Sequence, residues 1–408
     1  MRSSFHRWIP VCEKNTIPDG KKRFHEQWLG KMMNDLLIGF AAAGITSFAV
    51  SFLVCAFVRR VASRIGLLDR PGARKIHSFP IPLGGGIGIW SGIVFTLLVM
   101  WTVAHFSVRS GVLSFPESYT LHIGGIIGSG GRLAILLGLA SVLFILGAID
   151  DRYDIDWRIR ISMEFIVAIA TVMMGWEATF FLNCPLLTKT MSVIWIVGLT
   201  NSFNLLDNMD GLSSGVAVIC ASFLAIIFFF CSPNPDSGQP QLFMGGFLIL
   251  LIGGIIGFWF HNMPKARLFM GDGGAYFIGY LLAVITLSAT FTGNGAPSRA
   301  ILTPLCIFAV PLYDTLSVVI IRLAQGKSPF VGDTNHYSHR LVAIGLTKTG
   351  AVLTIYLTTA ICCIAAIFLY QVNQYAACLA GIQVVMILLL NAILEFTALR
   401  KIIKKEKY

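Results

Sequence analysis

The sequence predicts an all-α integral membrane protein, a polytopic bundle of about eleven transmembrane helices. Three observations predict this class. The 408 residues are 56% hydrophobic and only 12% charged, whereas soluble domains average about 25% charged residues, and the mean hydropathy is +0.76. Apolar runs recur along the chain, and their lengths are close to the roughly 20 residues that a spanning helix needs. Loops rich in Lys and Arg alternate with loops that hold few, as in multi-pass membrane proteins.

Eleven apolar segments are predicted to span the membrane. They are residues 34–58, 83–107, 132–149, 160–180, 190–206, 212–231, 241–260, 275–292, 300–323, 349–371 and 375–398. Segments 132–149 and 190–206 are short for a span, so we expect neighbouring helices to enclose them. The spans form one membrane-embedded domain, 34–400, between a basic N-terminal segment, 1–33, and a basic tail, 401–408.

Charge predicts the orientation of the bundle. The loops richest in Lys and Arg are 59–82, 150–160, 261–274 and 324–348, and with eleven spans they share one side with residues 201–211 and the C-terminus. Because Lys and Arg mark the cytoplasmic face, we predict a plasma-membrane protein whose active site and C-terminus are cytoplasmic and whose N-terminus is outside.

The N-terminal segment 1–33 conflicts with this orientation, because its seven Lys and Arg residues resist export. It has no apolar core and is therefore not a cleavable signal peptide. Either the later helices dominate the topology, or translation begins at Met32 or Met33. We favour the second explanation, because these residues lead directly into the first span.

The net charge of +11 lies mostly beside apolar segments. Anionic lipid headgroups, or an anionic lipid substrate, are therefore favoured as partners over nucleic acid, which we do not expect to bind. The nine Cys are scattered through apolar runs without metal-ligand spacing. We interpret them as small buried hydrophobic residues.

Many of the 20 acidic residues lie in the predicted cytoplasmic loops. Asp150 and Asp151 are adjacent, and Asp272 lies in FMGDGG, where glycines let backbone N–H groups approach an anion. Adjacent carboxylates at the bilayer edge repel each other and are costly to desolvate, which favours a metal-binding or proton-transfer role. Mg²⁺ is usually held by one or two carboxylates together with substrate phosphates. The alternatives are a solvated helix end for the Asp pair and a simple tight turn for GDGG.

The stretch NSFNLLDNMDGLSSG, residues 201–215, separates two apolar runs. Asn201, Asn204, Asp207 and Asp210 are three residues apart, so on a helix of 3.6 residues per turn they wind slowly around the axis. Such a set does not fit a single stripe shielded from lipid. We therefore predict that a helix ends here and runs into a polar loop.

Two basic loops also carry histidines. NHYSHRL contains His336, His339 and Arg340, and RKIHSFPIPLGGG contains Lys75 and His77. Each loop is either a solvated segment that enforces orientation or a set of hydrogen-bond donors for phosphate, in which Arg binds two oxygens at once. GGGIG is not a dinucleotide fingerprint, because it follows no strand and opens a membrane helix.

Two acids are predicted to lie within the membrane. Asp314 is in the ninth span near a kink at Pro311, and Glu164 is in the fourth. Intramembrane acids usually face a cavity or a partner. We favour a structural role, paired with an Arg of a cytoplasmic loop, over a functional one.

Taken in order, the Asp pair, NxxNxxDxxDG, FMGDGG and the late histidine loop resemble a known set of motifs. They are similar to those of the polyprenyl-phosphate N-acetylhexosamine-1-phosphate transferases, the MraY/WecA type of glycosyltransferase family 4. The resemblance spans roughly residues 34–400 and includes RKIHSFPIPLGGG. It implies an enzyme that passes a sugar 1-phosphate from a UDP-sugar to a membrane polyprenyl phosphate and releases UMP.

The resemblance also implies a role for each candidate residue. It makes Asp150 and Asp151 the catalytic pair, near the acceptor phosphate. It assigns Mg²⁺, or alternatively Mn²⁺, to Asp272 and Asn204. The residues that it assigns to substrate binding are Asp207, Asp210 and Phe269 at the nucleotide, His336, His339 and Arg340 at the diphosphate or sugar, and Lys75 and His77 in the first loop.

The expected donor is UDP-N-acetylglucosamine. HYSHRL lacks the consecutive histidines typical of the muramyl-pentapeptide branch, and Arg340 after His339 is closer to the branch that uses UDP-N-acetylglucosamine. Tyr337 and Ser338 separate the histidines, and Asn208 stands where the family often has Gly. These departures leave another UDP-N-acetylhexosamine or UDP-MurNAc-pentapeptide as alternatives. The resemblance further implies a product that initiates a cell-surface glycan such as lipopolysaccharide, and a homodimer.

Two other classes compete with the transferase. A secondary transporter binds its substrate near the bilayer midplane at a repeat interface; Asp314 and Glu164 favour it, but no inverted repeat is apparent. A lipid-binding scaffold needs the basic loops but not Asp150, Asp151 and Asp272 together. Release of UMP from a UDP-sugar discriminates the transferase from both.

Overall fold

The structure, a computed structural model, describes residues 19–69, 80–110, 117–178, 184–231, 241–288, 298–329, 333 and 335–406. Within these ranges the chain forms thirteen α-helices and one pair of two-residue strands. The predicted all-α class is therefore confirmed. Lys75 and His77, which were predicted to bind substrate, lie outside the described residues.

The helices are numbered α1 to α13 in chain order. They are α1 (Asp19–Ile65), α2 (Gly85–Ser110), α3 (Glu117–Tyr153), α4 (Trp157–Met173), α5 (Pro185–Leu206), α6 (Leu212–Ile226, continued by a π-helical turn Ile227–Cys231), α7 (Leu242–Asn262), α8 (Gly271–Ser288), α9 (Thr303–Ile307, preceded by a 3-10 turn Ser298–Leu302), α10 (Ala309–Ala324), α11 (Tyr337–Ala343), α12 (Lys348–Gln371) and α13 (Gln374–Glu406). Strands β1 (Leu68–Asp69) and β2 (Ile81–Pro82) pair antiparallel after α1.

Eight helices of the described chain are long and apolar enough to cross a membrane, or nine if the bent pair α9–α10 is one span. This is a multi-pass membrane protein. The predicted number of eleven spans stays a prediction. Predicted spans 160–180 and 190–206 correspond to α4 and α5, which are not among the eight, and α4 has only 17 residues.

Two helices include residues that were predicted to lie in loops, and this changes the position of two candidate site residues. α3 continues to Tyr153 and α8 begins at Gly271, so Asp151 and Asp272 belong to helix termini rather than to loops. The helices also extend into both terminal segments, since α1 begins at Asp19 and α13 ends at Glu406. The ninth predicted span is bent by 66° between α9 and α10, three residues before Pro311.

Helix α8 is the central element of the bundle. Of its 18 residues, all but Asp272 and Ser288 are buried. A Cβ on Gly147 of α3 would lie 2.3 Å from the backbone nitrogen of Gly273. These small residues let helix backbones approach closely, as is common between membrane helices, and they bring the start of α8 against the end of α3.

The outer helices present apolar side chains outward. On α13, Leu379, Met386 and Leu390 are each more than half exposed. An exposed apolar surface of this kind is expected to face lipid. The polar motifs lie instead at helix termini, where the ends of α3, α5 and α8 meet.

Candidate active site

Asp150 anchors the junction between α3 and α4. It is buried, its Oδ1 accepts the N–H of Ile155 at 2.7 Å, and its Oδ2 accepts a hydrogen bond from the guanidinium of Arg160. The N-cap Asp156 accepts the N–H of Arg158 at 2.8 Å and so begins α4 beside the end of α3. Both oxygens of Asp150 are therefore engaged within the protein, and one of them holds Arg160 in place.

The carboxylate of Asp151 contacts the N-terminus of α8. Its Oδ1 accepts the N–H of Asp272 at 2.9 Å, where the positive end of the helix dipole favours an anion. Gly271, the residue before Asp272, has a φ of 77°. A Cβ on Gly271 would lie 2.3 Å from Asp151 Oδ2. Only glycine fits that position, on both conformational and steric grounds.

Asp272 joins the two other motifs. Its Oδ1 accepts a hydrogen bond from Asn204 Nδ2 at 2.9 Å, and its Oδ2 lies 3.6 Å from Arg160 Nη1. The side chain of Asp272 remains 33% exposed. Three stretches that are far apart in the sequence therefore converge on one partly open group of polar side chains.

The turn between α5 and α6 continues this polar group. As predicted, α5 ends within the polar stretch, with Asp207 as its C-cap. Asp210 Oδ2 accepts the N–H groups of Lys265 at 3.1 Å and Ala266 at 3.0 Å. Burial, assisted by the negative charges of Asp151 and Asp210, raises the pKa of Asp207 to about 7. Negative charge is thus crowded around this turn.

Backbone bonds attach the first loop to FMGDGG. The N–H of Phe269 donates to the carbonyl of Pro82 at 2.9 Å, and its own carbonyl accepts the N–H of Gly85 at 2.8 Å. Gly86 donates to the carbonyl of Met270 at 2.9 Å. The start of α2 is therefore fixed beside the start of α8.

The histidine segment is held by Asp314 of α10. His336 Nδ1 lies 3.3 Å from Asp314 Oδ2, and the N–H of Tyr337 donates to Asp314 Oδ1 at 2.6 Å. The ring centroids of His336 and His339 are 6.1 Å apart. Burial, with the neighbouring His336, lowers the pKa of His339, so we expect a neutral ring at physiological pH.

An ion pair between Arg322 and Asp333 lies next to the residues that precede the histidine segment. Arg322 donates to both carboxylate oxygens of Asp333 at 3.1 Å, and Asn335 Nδ2 donates to Asp333 Oδ2 at 2.7 Å. Burial raises the pKa of Asp333, but the hydrogen bonds from Arg322 and Asn335 outweigh it and bring the pKa to about 2. The carboxylate is therefore ionised throughout the physiological range.

Arg340 lies in a buried network. Its Nε donates to Glu395 Oε2 at 2.6 Å and its Nη2 to Ser317 Oγ at 2.7 Å, and its Nη1 donates to the carbonyl of Asn335. Arg340 was predicted to bind the donor directly. It is only 4% exposed, and this engagement favours a role in fixing α11 against α10 and α13. A direct contact with substrate stays a prediction.

The histidine segment reaches the other motifs through one polar contact. Ser338 donates from its hydroxyl to Asn208 Oδ1, in the turn between α5 and α6. Asn208 in turn donates to the carbonyl of Leu205 at 2.8 Å. Ser338 and Asn208, two of the three residues that depart from the resembled pattern, are thus each other's partners.

The two intramembrane acids have protein partners. Glu164 accepts a hydrogen bond from Asn201 of α5, and Asp314 holds His336 and the N–H of Tyr337. Among the described residues Asp314 pairs with His336 rather than with an Arg, whereas the charge of Arg160 acts on Glu164. Their engagement weakens the main sequence argument for a secondary transporter, since both carboxylates already have partners within the protein.

Residues 133–290 match the model of glycosyl transferase family 4. The chain is also 30% identical, over 90% of its own length and 95% of the relative's, to a probable undecaprenyl-phosphate N-acetylglucosaminyl 1-phosphate transferase of Bacillus subtilis (strain 168). This chain belongs to glycosyl transferase family 4. The resemblance inferred from its motifs is therefore confirmed.

Two further relatives of this family 4 member are also 30% identical to it. The undecaprenyl-phosphate alpha-N-acetylglucosaminyl 1-phosphate transferase of Escherichia coli (strain K12) matches 81% of the chain and 83% of the relative. The decaprenyl-phosphate N-acetylglucosaminephosphotransferase of Mycobacterium tuberculosis (strain ATCC 25618 / H37Rv) matches 78% and 79%. The family model spans α4 to α8 and most of the membrane part of α3, but it does not reach the histidine segment.

The family 4 site offers a plausible set of ligands for Mg²⁺. The described residues contain no group of three or more His, Cys, Asp or Glu side chains arranged around a metal, but Mg²⁺ commonly needs only one or two carboxylates plus substrate phosphates. Asp151 and Asp272 lie side by side, with the amide of Asn204 next to Asp272. These residues fit a divalent cation.

Arg160 was not among the predicted site residues of this family 4 member. The sequence suggested only that it helps to orient the bundle, although it lies close to both Asp150 and Asp272. Its position, nine residues after Asp151 and at the start of a helix, was the one signal that could have identified it. Glu395 was missed for a different reason, since nothing in NAILEF at the end of the chain relates it to Arg340.

Proposed function

We propose that this protein transfers N-acetylglucosamine 1-phosphate from UDP-N-acetylglucosamine to undecaprenyl phosphate and releases UMP. The observation that carries the proposal is the convergence of Asp151, Asp272 and Asn204 at the ends of α3, α8 and α5. Relatives named for this transfer, similar over most of the chain, support the choice of sugar and lipid.

In the proposed reaction Asp151 acts on the acceptor. No side-chain cation pairs with Asp151 among the described residues, whereas Asp150 is engaged by Arg160 and Ile155. Asp151 keeps the lipid phosphate deprotonated, so that a phosphate oxygen attacks the β-phosphorus of the donor and the bond to UMP breaks. Asp150 acts indirectly, by holding Arg160. Phosphoryl transfer of this kind depends mainly on positioning and on neutralising charge.

The donor diphosphate is proposed to lie over Asp272 and Arg160. Mg²⁺, when held by Asp272 and Asn204 with Asp151 adjacent, would neutralise the diphosphate and stabilise the departing UMP. Arg160, whose Nη1 lies 3.6 Å from Asp272 Oδ2, adds positive charge at the same place. Asp207, Asp210 and Phe269 are proposed to contact the nucleotide, and His336 and His339 the sugar or diphosphate.

The setting of this reaction is also part of the proposal. We place the site and the C-terminus in the cytoplasm, where a UDP-sugar is available, on the strength of the basic loops that surround the site. The acceptor lipid reaches the site laterally from the bilayer, with its phosphate at the interface. The product would initiate a cell-surface glycan, and a homodimer is expected from the family resemblance.

The direct test uses purified protein with undecaprenyl phosphate and Mg²⁺, and a panel of UDP-sugars. UMP release and a lipid-linked N-acetylglucosamine diphosphate are expected with UDP-N-acetylglucosamine. Faster turnover of UDP-N-acetylgalactosamine or of UDP-MurNAc-pentapeptide would assign a different donor. If UMP release with every UDP-sugar stays at the level of the Asp151→Asn variant, the transferase proposal is wrong.

A further inference from the structure

The bend between α9 and α10 contains a backbone carbonyl that has lost its helical donor. Pro311 has no N–H, so the carbonyl of Ile307, four residues earlier, cannot accept the hydrogen bond that an α-helix would give it. Ile307 is fully buried, and a buried carbonyl without a donor is costly. The chain bends by 66° at this point. Another group must therefore satisfy the carbonyl.

Two thiols from two other helices donate to this carbonyl. Cys220 Sγ of α6 lies 3.2 Å from Ile307 O, and Cys363 Sγ of α12 lies 3.6 Å from the same atom. Both cysteines are fully buried. A thiol is a weak donor, but no water competes with it inside a membrane bundle. The two thiols therefore supply the hydrogen bonds that Pro311 cannot make.

The bend sets the direction of α10, and α10 holds the histidine segment. Asp314 follows Pro311 by three residues; its Oδ1 accepts the N–H of Tyr337 at 2.6 Å, and its Oδ2 lies 3.3 Å from His336 Nδ1. Seven residues of helix, or roughly 10 Å along its axis, separate Ile307 from Asp314. A change at the bend is therefore transmitted to the histidine segment within two helical turns.

We infer that Cys220 and Cys363 are positioning residues for the histidine segment. They hold the bend at Ile307 and, through Asp314, the position of His336. The inference rests on the proposed function in one respect, since that function has the histidine segment contact the sugar or diphosphate of the donor. Loss of both thiols is then expected to weaken donor binding more than the chemical step, because the proposed catalytic carboxylates belong to α3 and α8.

Two other buried cysteines provide a matched control for the loss of sulfur. Cys306 of α9 precedes Ile307, and Cys362 of α12 precedes Cys363. Both are buried, but neither thiol donates to Ile307 O in the part of the chain that the structure describes. Replacing these two residues by Ala removes the same two sulfur atoms from the same part of the bundle and removes no donor to the bend.

Steady-state kinetics of the purified full chain tests the positioning role. In the thiol variant, Cys220→Ala with Cys363→Ala, the KM for UDP-N-acetylglucosamine is expected to rise at least fivefold, with the turnover number within twofold of wild type. The control variant, Cys306→Ala with Cys362→Ala, should keep both values within twofold. Each variant must elute as a monodisperse peak; if the thiol variant does not, the single variants Cys363→Ala and Cys362→Ala are compared instead. Equal KM values in the thiol and control variants would overturn the inference.

Thermal unfolding in detergent tests the same contacts without any turnover. The thiol variant is expected to unfold at a lower temperature than the control variant. In a Pro311→Ala background residue 311 supplies its own N–H to the carbonyl of Ile307, so this difference is expected to fall by at least half. An undiminished difference would contradict the role of the thiols. The expected thermal pattern in a wild-type chain that releases no UMP would support that role and contradict the proposed function.

Discussion

Asp150 and Asp151 are adjacent in the sequence but have different surroundings in the candidate active site. Asp150 is closed off by Arg160 and the N–H of Ile155, whereas Asp151 faces the start of α8 and accepts the N–H of Asp272. A carboxylate that is already paired with a cation, as Asp150 is with Arg160, is poorly placed to take a proton from a substrate. We therefore assign the proposed chemistry to Asp151 and a positioning role for the guanidinium to Asp150.

Asp151→Asn is expected to lower the turnover number at least tenfold, which raises the activation free energy by about 1.4 kcal/mol. The reason is that an amide side chain does not take the proton of the lipid phosphate. UMP release by purified protein measures the turnover number. Asp154→Asn is the matched control, since Asp154 is an exposed carboxylate three residues away, and its positive φ of 50° suits Asn equally well. Turnover close to wild type in Asp151→Asn would remove Asp151 from the proposed chemistry.

Asp272→Asn is expected to abolish detectable turnover while the protein still inserts in the membrane, because the proposed cation loses its principal carboxylate. Binding of Mn²⁺, followed by electron paramagnetic resonance, provides a second readout and should weaken at least tenfold. Asp154→Asn again serves as the control. Unchanged Mn²⁺ affinity in Asp272→Asn would contradict the metal assignment even if activity were lost.

At the scale of the helices, glycines determine how closely the catalytic ends approach. Gly147 and Gly273 allow α3 and α8 to come into backbone contact, and Gly279 brings α8 against Thr200 of α5. A Cβ on Gly279 would lie 2.8 Å from Thr200 Cα. The carboxylates of α3 and α8 meet because these interfaces have no side chain between them.

Gly147→Ala is expected to move α3 away from α8, because the new Cβ would lie 2.3 Å from the nitrogen of Gly273. Overpacking of this kind costs about 1–3 kcal/mol, so both thermal stability and UMP release should fall. Gly138→Ala, on the same helix but with no atom within 4 Å of the added Cβ, should leave both unchanged. Equal effects of the two substitutions would show that close packing is not the cause.

Glu395→Gln is expected to destabilise the protein, because it leaves the buried guanidinium of Arg340 without its carboxylate. Breaking a buried pair by removing one partner costs about 3–5 kcal/mol. The fraction of protein that stays monodisperse after heating measures the effect. The double variant Glu395→Gln with Arg340→Gln should recover part of the loss; if the two effects simply add, the residues are not coupled.

Across the bundle, the side that the Lys and Arg distribution predicts to be cytoplasmic is also the side on which the polar motifs lie. These motifs lie at helix ends on that side. The outer surface of the bundle is apolar, as on α13. This arrangement suits an enzyme that joins a water-soluble donor to a lipid acceptor at one interface.

Green fluorescent protein fused after Tyr408 is expected to fluoresce in intact bacterial cells, and alkaline phosphatase at the same position is expected to be inactive. Both outcomes are expected from the cytoplasmic C-terminus that the Lys and Arg distribution predicts. A fusion of each reporter after Lys189, on the predicted outer side, gives the opposite control. Active phosphatase after Tyr408 would reverse the proposed orientation of the site.

The features that depend on local chemistry could be predicted from the amino-acid sequence alone. Long apolar runs specify membrane helices wherever they occur, the three-residue spacing from Asn201 to Asp210 required a helix end, and the order of the motifs indicated the family. It also identified Asp151 and Asp272 as candidates, because carboxylates are few in so apolar a chain, whereas the candidacy of Asn204 as a metal ligand came from the family resemblance.

Which of these side chains come into contact could be seen only in the folded chain. Asp151 and Asp272 are 121 residues apart in sequence, and no local periodicity relates them. The recruitment of Arg160 to the site, the pairing of Asp314 with His336, and the burial of Arg340 against Glu395 all depend on helices that pack across the bundle. The physical reason is that helical propensity and hydropathy act within a segment, whereas contact between segments depends on close packing at positions such as Gly147.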